Sequence, residues 1–334
     1  MISSCFGKFL RYSACALLLS SVVQAAAPIR VGFLPDIGFA PLQLAESMGY
    51  WKERGVQVQL VPFDDSKTEM KALIEGHIDL ASDMTGNFVG WAMNGAPIKI
   101  TAETHTSNGS VKVLLRQGVD PSKLAGQTIG VPYKQVALDY LLGRYLNANG
   151  VQFGDVKLLE GSADQLVAAF EKGQVAAIVL ADPDASVLRD TGIHVVADSA
   201  TYPGLITEGF AASNASLAAI PDEEWVAFYR GWLNAVSWVR GTGFNWNAFQ
   251  QTLKAPSYHK FLAAGDVAAV DSLNSIQFST ASEVAKRHGN LGGLEYYVRA
   301  VLRFMRESAM IKTDPEARPL IHSTAFEKAL KEAK

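Results

Sequence analysis

Cysteine is the first thing this chain lacks. Its only two cysteines, Cys5 and Cys15, lie within the first 15 of 334 residues. Beyond them no disulfide, thiolate metal site or cysteine nucleophile can be built. Charge of one sign is equally scarce. The sequence carries 30 lysines and arginines against 33 aspartates and glutamates, a formal net charge of −3, which excludes a basic nucleic-acid-binding surface. No second long apolar run follows the one at the N-terminus. The histidines His77, His105, His194, His259, His288 and His322 are scattered. None is paired with a second histidine or an acid at helical spacing on a plausible helix, so no metal site and no cofactor is expected. No nucleophile–base set stands out either, and the chain is expected not to be an enzyme.

The N-terminus supplies the first positive signal. Lys8 and Arg11 precede an apolar segment from Tyr12 to Val23, and Val23-Gln24-Ala25 places small residues at a cleavage site. This is the layout of a secretory signal peptide over residues 1–25. The apolar segment is shorter than the roughly 20 residues a membrane-spanning helix needs. Cleavage near Ala25 removes both cysteines, as suits a periplasmic protein. It also reduces the 30 basic residues to 28 against 33 acidic, a net charge of −5. Removing the first 27 of 334 residues leaves about 307, more than one core usually organises, so two lobes are expected.

Ile29 to Leu34 is an apolar run that reads as a buried strand, followed by the turn Pro35-Asp36-Ile37-Gly38-Phe39 and a helix carrying Leu42, Leu44, Ala45 and Met48. Val56 to Phe63 is a second strand. Asp64-Asp65-Ser66 caps a helix that ends at Gly76. Ile78 to Ala81 is a short third strand with an outgoing loop, Ser82 to Asn87, that leads into a helix containing Phe88 and Trp91. Ile98 to Ala102 is a fourth strand, ending in a polar loop at Glu103-Thr104-His105. The pattern then restarts. Strands are expected at 111–115, 128–131, 156–159, 176–180 and 193–196, with helices after Gln135 and Ser162. Leu205 to Ser213 reads as a return strand, and the chain beyond Pro221 as nearly all helical, with Trp225, Trp232, Trp238 and Trp246 in helical patterns. In such open α/β sheets ligands bind at the carboxyl ends of the strands.

Three segments carry a family resemblance: IRVGF with APLQLAESMGYWKERGVQVQLVPF, then MKALIEGHIDLASDMTGNFVGWAMNGAPI, then DPSKLAGQTIGVPYKQVALDYLLGRYLNANGV with ADQLVAAFEKGQVAAIVLADPDAS. In this order they resemble the solute-binding proteins of nitrate/sulfonate/taurine-type ABC importers, which include thiamine-precursor binders. The resemblance implies an α/β type II periplasmic-binding-protein clamshell: two lobes, two crossover hinge strands and a helical C-terminal region. It implies lobe 1 at 28–106 plus 209–334 and lobe 2 at 107–208. It further implies a monomer that holds a small ligand between the lobes and delivers it to a membrane permease and its ATPase. An enzyme on the same clamshell, of pyrimidine- or menaquinone-pathway type, is the alternative.

The expected ligand-binding residues lie on the loops. Asp36, with Ile37 and Phe39, forms the first wall, although Asp36 also suits a turn or helix cap. Ser82, Asp83 and Thr85 precede a helix, where one of the polar residues must cap it and free N–H groups can hold an anion. His105 ends the fourth strand. Tyr133 and Gln135 begin the equivalent helix of the second lobe, where a ring can cover an organic ligand. Asp182 either caps a helix started by Pro183 or meets the ligand. Glu208 is a charge inside an apolar strand and needs a partner. In taurine-type members an acid at about this place faces the ligand's amino group. With acids at Asp36, Asp83, Glu103 and Glu208 and few fixed cations, the expected ligand carries a protonatable nitrogen or is a zwitterion.

Overall fold

A computed structural model describes residues 27–185, 188, 193–241, 258 and 271–332. The expected signal peptide at 1–25, together with Trp246 and His259, lies outside the described residues. The chain forms two sheets with helices packed against them. The first begins with β1 (Ile29–Phe33), paired in parallel with β2 (Val58–Pro62) and β3 (Leu80–Met84). Helices α1 (Pro41–Ser47) and α2 (Ser66–Ile74) make the crossovers, and Asp65 caps α2 by accepting the Thr68 N–H. Met48, expected on the apolar face of the first helix, follows its end and is exposed. After α3 (Thr85–Met93) the chain enters the long strand β4 (Ile98–Ser107).

The chain then crosses to the second sheet through Asn108-Gly109-Ser110. That sheet contains β5 (Val111–Arg116), β6 (Thr128–Pro132), β7 (Lys157–Gly161), β8 (Ala177–Ala181) and β9 (Ile193–Asp198), in the order β7-β6-β8-β5-β9. Its helices are α4 (Val136–Ala148) and α5 (Ala163–Glu171), the latter opened by a Ser162–Gln165 capping box. The return strand β10 (Thr207–Ser213) inserts antiparallel between β3 and β4. Helices α6 (Asn214–Ala219) and α7 (Asp222–Gly241) follow. The short strand β11 (Ile276–Phe278) then pairs with β4, in a region expected to be nearly all helical. Helices α8 (Ala281–His288), α9 (Gly293–Glu307) and α10 (Thr324–Glu332) complete the described chain. The first sheet has the order β11-β4-β10-β3-β1-β2. Among the described residues no helix is long and apolar enough to cross a membrane.

The two chain crossings are tied together by hydroxyls. Ser107 Oγ lies 2.5 Å from Ser110 Oγ and 2.6 Å from Ser199 Oγ, and Ser199 Oγ also accepts the Gly109 N–H at 2.7 Å. Around β10 the core is aromatic. Phe210 contacts Phe39, Phe228 and Trp232. Trp51 stacks on Phe228 and donates its indole N–H to the Phe228 carbonyl. Each such ring removed from water contributes roughly 1.5–3 kcal/mol. On α9 the buried residues Leu294, Tyr297, Val298, Val301, Leu302 and Met305 recur at helical spacing and face α3.

Two expected loops are strands instead. Ser82 and Asp83 lie inside β3, opposite Phe210 and Gly209 of β10, and Glu103, Thr104 and His105 lie inside β4. Gly209 allows this close pairing, because a Cβ there would come within 2.0 Å of the Ala102 carbonyl oxygen.

Candidate functional site

The register of β10 on β4 sets Glu208 directly opposite His105. His105 Nε2 lies 3.2 Å from Glu208 Oε2. On its other side His105 Nδ1 is 2.9 Å from Thr104 Oγ1, and that hydroxyl donates to the Glu208 carbonyl at 3.1 Å. A hydroxyl has one proton, so with its proton on that carbonyl Thr104 must accept from Nδ1–H. The tautomer is thereby fixed, and Nε2 presents a bare lone pair to the Glu208 carboxyl. Phe39 and Phe278 hold the imidazole plane, with centroids 5.0 and 5.4 Å away.

The third member of the cluster comes from the loop after β1. Asp36 caps the short 3-10 turn Ile37–Phe39 by accepting the Gly38 N–H at 2.7 Å. It is half-buried, whereas His105 and Glu208 are buried. Donor atoms of Asp36, His105 and Glu208 lie within 4.8 Å of one another. The loop can approach so closely because residue 38 is glycine, and a Cβ there would meet Nε2 at 2.1 Å.

Burial governs the protons here. It pushes the Glu208 carboxyl up to about 8. It raises Asp36 to about 7, with help from the Glu208 and Asp182 charges and against His105 and the Gly38 N–H. It depresses His105 to about 4, although the Asp36 and Glu103 charges oppose this. Near neutrality the imidazole is uncharged and the Glu208 carboxyl holds a proton that can point at Nε2. The other Glu208 oxygen, Oε1, is buried without a hydrogen-bond partner.

The remaining expected site residues fall into three groups. Ile37 and Phe39 are buried beneath the cluster, and Phe39 backs the imidazole. Ser82, Asp83 and Thr85 are buried where β3 runs straight into α3. No side chain among them caps that helix; the N-cap position is Met84, without a side-chain cap bond. Asp83 accepts from the Ser66 hydroxyl, from the Met84 N–H at 2.6 Å and from Asn87 Nδ2 at 2.9 Å, while Glu69 accepts the Ser82 N–H at 2.9 Å. Burial still raises Asp83 to about 6 and holds Glu69 well above the usual carboxylate range, with the Asp83 charge adding to the latter.

The third group comes from the second sheet. Gln135 occupies the N-cap position of α4 without a side-chain cap bond. Tyr133 is 41% exposed, with Lys67 Nζ 5.2 Å from its ring centroid. Asp182 sits in a turn at the end of β8 and is ion-paired with Lys112. Glu103, counted among the acids of the cleft, is neutralised by Arg287. Of the four acids, Glu103 is thus held by a cation and Asp83 by three neutral donors; Asp36 and Glu208 remain, and neither forms an ion pair with a lysine or arginine among the described residues. Two surface hollows, one beside Trp51 and Val58 and one between α4 and α9, lie away from this cluster.

Two open sheets, a double crossing between them and a helical C-terminal region define the class: this is the two-lobed periplasmic-binding-protein fold. Within that class, residues 36–240 match the family described as NMT1/THI5 like, more than half of the chain, and the chain belongs to that family. It is 28% identical over 200 residues to the riboflavin-binding protein RibY of Chloroflexus aurantiacus, a match covering 58% of this chain and 57% of that protein, less than two thirds of the relative's length. The solved structures it resembles include the alkanesulfonate-binding protein SsuA of Xanthomonas axonopodis pv. citri bound to MOPS, at TM-score 0.69 and 18% identity, covering 90% of this chain and all of that one. A zinc-bound ligand-binding component of an ABC-type import system from Staphylococcus aureus aligns at TM-score 0.70 and 13% identity, covering 91% of this chain and 99% of that one.

Proposed function

We propose that the mature chain is the periplasmic solute-binding component of an ABC importer. Lobe 1 comprises 28–106 plus 209–334 and lobe 2 comprises 107–208. A small organic ligand is captured between them and the closed form docks on a permease. The ligand carries a protonatable nitrogen, in the range from amino-sulfonates to thiamine-precursor-like heterocycles. One observation carries this reading: Asp36 and Glu208 converge on the His105 imidazole, and among the described residues neither forms an ion pair with a lysine or arginine. A positive or hydrogen-donating ligand group satisfies both carboxyls, and a simple inorganic anion does not. Closure follows because only a ligand touching both lobes favours the closed state.

The test is a thermal-shift screen of the chain from residue 28, in EDTA-containing buffer, against amino-sulfonates, plain sulfonates, nitrate, thiamine precursors and riboflavin. A ligand at 100 times its Kd stabilises by about 2.7 kcal/mol. A nitrogen-bearing compound is expected to give the largest shift, and Glu208→Gln to weaken it at least tenfold. A best ligand without nitrogen, unaffected by Glu208→Gln, overturns the ligand assignment. Turnover of any bound compound overturns the transport role.

A further inference from the structure

The same three side chains have a second capacity. Two carboxylates and one imidazole nitrogen, brought together from the β1 loop, β4 and β10, are a donor set for a transition metal. Helical spacing gave no hint of it, because the donors are 69 and 103 residues apart in sequence and meet only through strand pairing.

We propose that Asp36, His105 and Glu208 bind a divalent metal ion of the zinc class, through one oxygen each from Asp36 and Glu208 and through Nε2 of His105. Three observations carry this. First, the tautomer is preset. The Thr104 hydroxyl donates to the Glu208 carbonyl and so accepts Nδ1–H, leaving Nε2 as a lone pair. A metal-binding histidine needs this second-shell arrangement, which fixes ring orientation and raises ligand basicity.

Second, the spacing fits. Metal–ligand bonds of about 2.0–2.1 Å in a tetrahedron put ligand atoms about 3.3 Å apart. His105 Nε2 and Glu208 Oε2 are 3.2 Å apart, and an oxygen of Asp36 lies within 4.8 Å of a donor atom of each residue. Third, Glu208 Oε1 is buried without a partner. This carboxyl has spare acceptor capacity at a place where water is excluded. An ion between Nε2 and the two carboxyls satisfies all the facing lone pairs at once, where a proton satisfies only one contact.

The donor set also selects the ion. Imidazole nitrogen suits zinc-like transition metals, whereas Mg2+ and Ca2+ prefer six or more oxygen ligands. Gly38 lies against the Nε2 side of the ring, so the ion reaches its place from the side of half-buried Asp36. Three protein ligands leave a position open, and an unprotonated donor atom of the organic ligand, with its lone pair free, can fill it. This last step rests on the proposed function; the metal site itself does not.

The test is isothermal titration of the chain from residue 28, stripped with EDTA and dialysed, with ZnCl2 and, separately, MgCl2. One Zn2+ per chain is expected, with Mg2+ bound at least 100-fold more weakly. His105→Gln and Glu208→Gln are each expected to weaken Zn2+ at least tenfold, and Thr104→Val, which touches the metal only through the ring, 10–100-fold. No stoichiometric Zn2+ binding, or binding unmoved by His105→Gln and Glu208→Gln, overturns the proposal. Should a variant fail to fold, the visible spectrum of Co2+ bound to the unmutated chain decides. Tetrahedral nitrogen–oxygen coordination supports the site, and a hexa-aquo-like spectrum overturns it. An organic ligand that binds in EDTA while Zn2+ does not would leave the transport reading intact and remove the metal alone.

Discussion

At the scale of single residues, Glu208 is the most consequential position. Its carboxyl is buried, raised to about 8 by that burial, and meets a histidine that burial keeps neutral. Above its pKa a charge appears that no described lysine or arginine offsets. A carboxyl raised above its unfolded value stabilises the fold fully below that unfolded value, and the contribution is lost as pH rises through the folded one. Asp36, raised to about 7, acts in the same direction. His105, depressed to about 4, acts in reverse, and its contribution is lost as pH falls through about 4. The ligand-free, metal-free chain is therefore expected to melt progressively lower as pH rises from about 5 to about 8, and to level off above that. Glu208→Gln keeps a donor to Nε2 and cannot ionise. Relative to the unmutated chain it should be near neutral at about pH 5 and more stable by a few kcal/mol at pH 9, since each tenfold change in proton affinity is worth about 1.4 kcal/mol. Melting curves of both proteins across this range check it, and parallel curves would remove Glu208 as the source.

At the scale of elements, helix α8 of the C-terminal region is fastened to strand β4 by charge and by imidazole. Arg287 forks onto the buried Glu103 carboxylate, with Nη2 at 3.0 Å from Oε2, and His288 Nε2 accepts the Glu103 N–H at 2.8 Å. His288 donates its other ring proton to the Val284 carbonyl at 2.8 Å. Arg287→Met leaves a buried carboxylate without its cation. The cost of breaking a buried pair is about 3–5 kcal/mol, and because Arg287 is one-third exposed the lower end is expected, read from urea denaturation midpoints. Glu103→Gln added to Arg287→Met should recover part of the loss. If Arg287→Met alone leaves the midpoint in place, the pair does not secure α8.

The same elements mark what the sequence could and could not convey. Apolar runs such as Ile29 to Phe33 and Val111 to Leu115 announce strands directly, because both their faces are buried. Asp65 and Ser162 announce helix starts, because a cap needs that chemistry. Ser82, Asp83, Glu103 and His105 looked like loop residues for the opposite reason: polarity in a buried strand is invisible until its partners are known. Those partners, Ser66, Asn87, Arg287 and Glu208, lie 4 to 184 residues away. Each of the candidate residues Asp36, His105 and Glu208 was legible alone. Their convergence was not, since it depends on the antiparallel register of β10 on β4.

At the scale of the whole molecule, the question is what holds the two sheets' helices together away from the crossings. Helices α3 and α4 touch at their N-termini. Gly86 admits the Ala137 main chain, with a Cβ position 3.1 Å from its Cα, and Gly90 admits Val136. Asn87 bridges them: Oδ1 accepts the Ala137 N–H at 3.1 Å while Nδ2 donates to Asp83 at 2.9 Å. Lys134 extends from the α4 side over the Trp91 ring at 5.0 Å. If the lobes move as a binding protein's do, Asn87 is a bond of the closed state and water replaces it when they part. Asn87→Ala should then favour the open form, because a buried N–H left without an acceptor costs about 1–3 kcal/mol. The expected result is a larger radius of gyration by small-angle scattering and ligand affinity lowered five- to a hundredfold, since 1.4 kcal/mol is tenfold. The substitution also removes a donor from Asp83, so Ser66→Ala is the control. It takes another donor from the same carboxylate without touching α4, and should lower the melting temperature while leaving the radius unchanged. Equal radii and equal affinities for Asn87→Ala and the unmutated chain would mean that this contact does not distinguish open from closed.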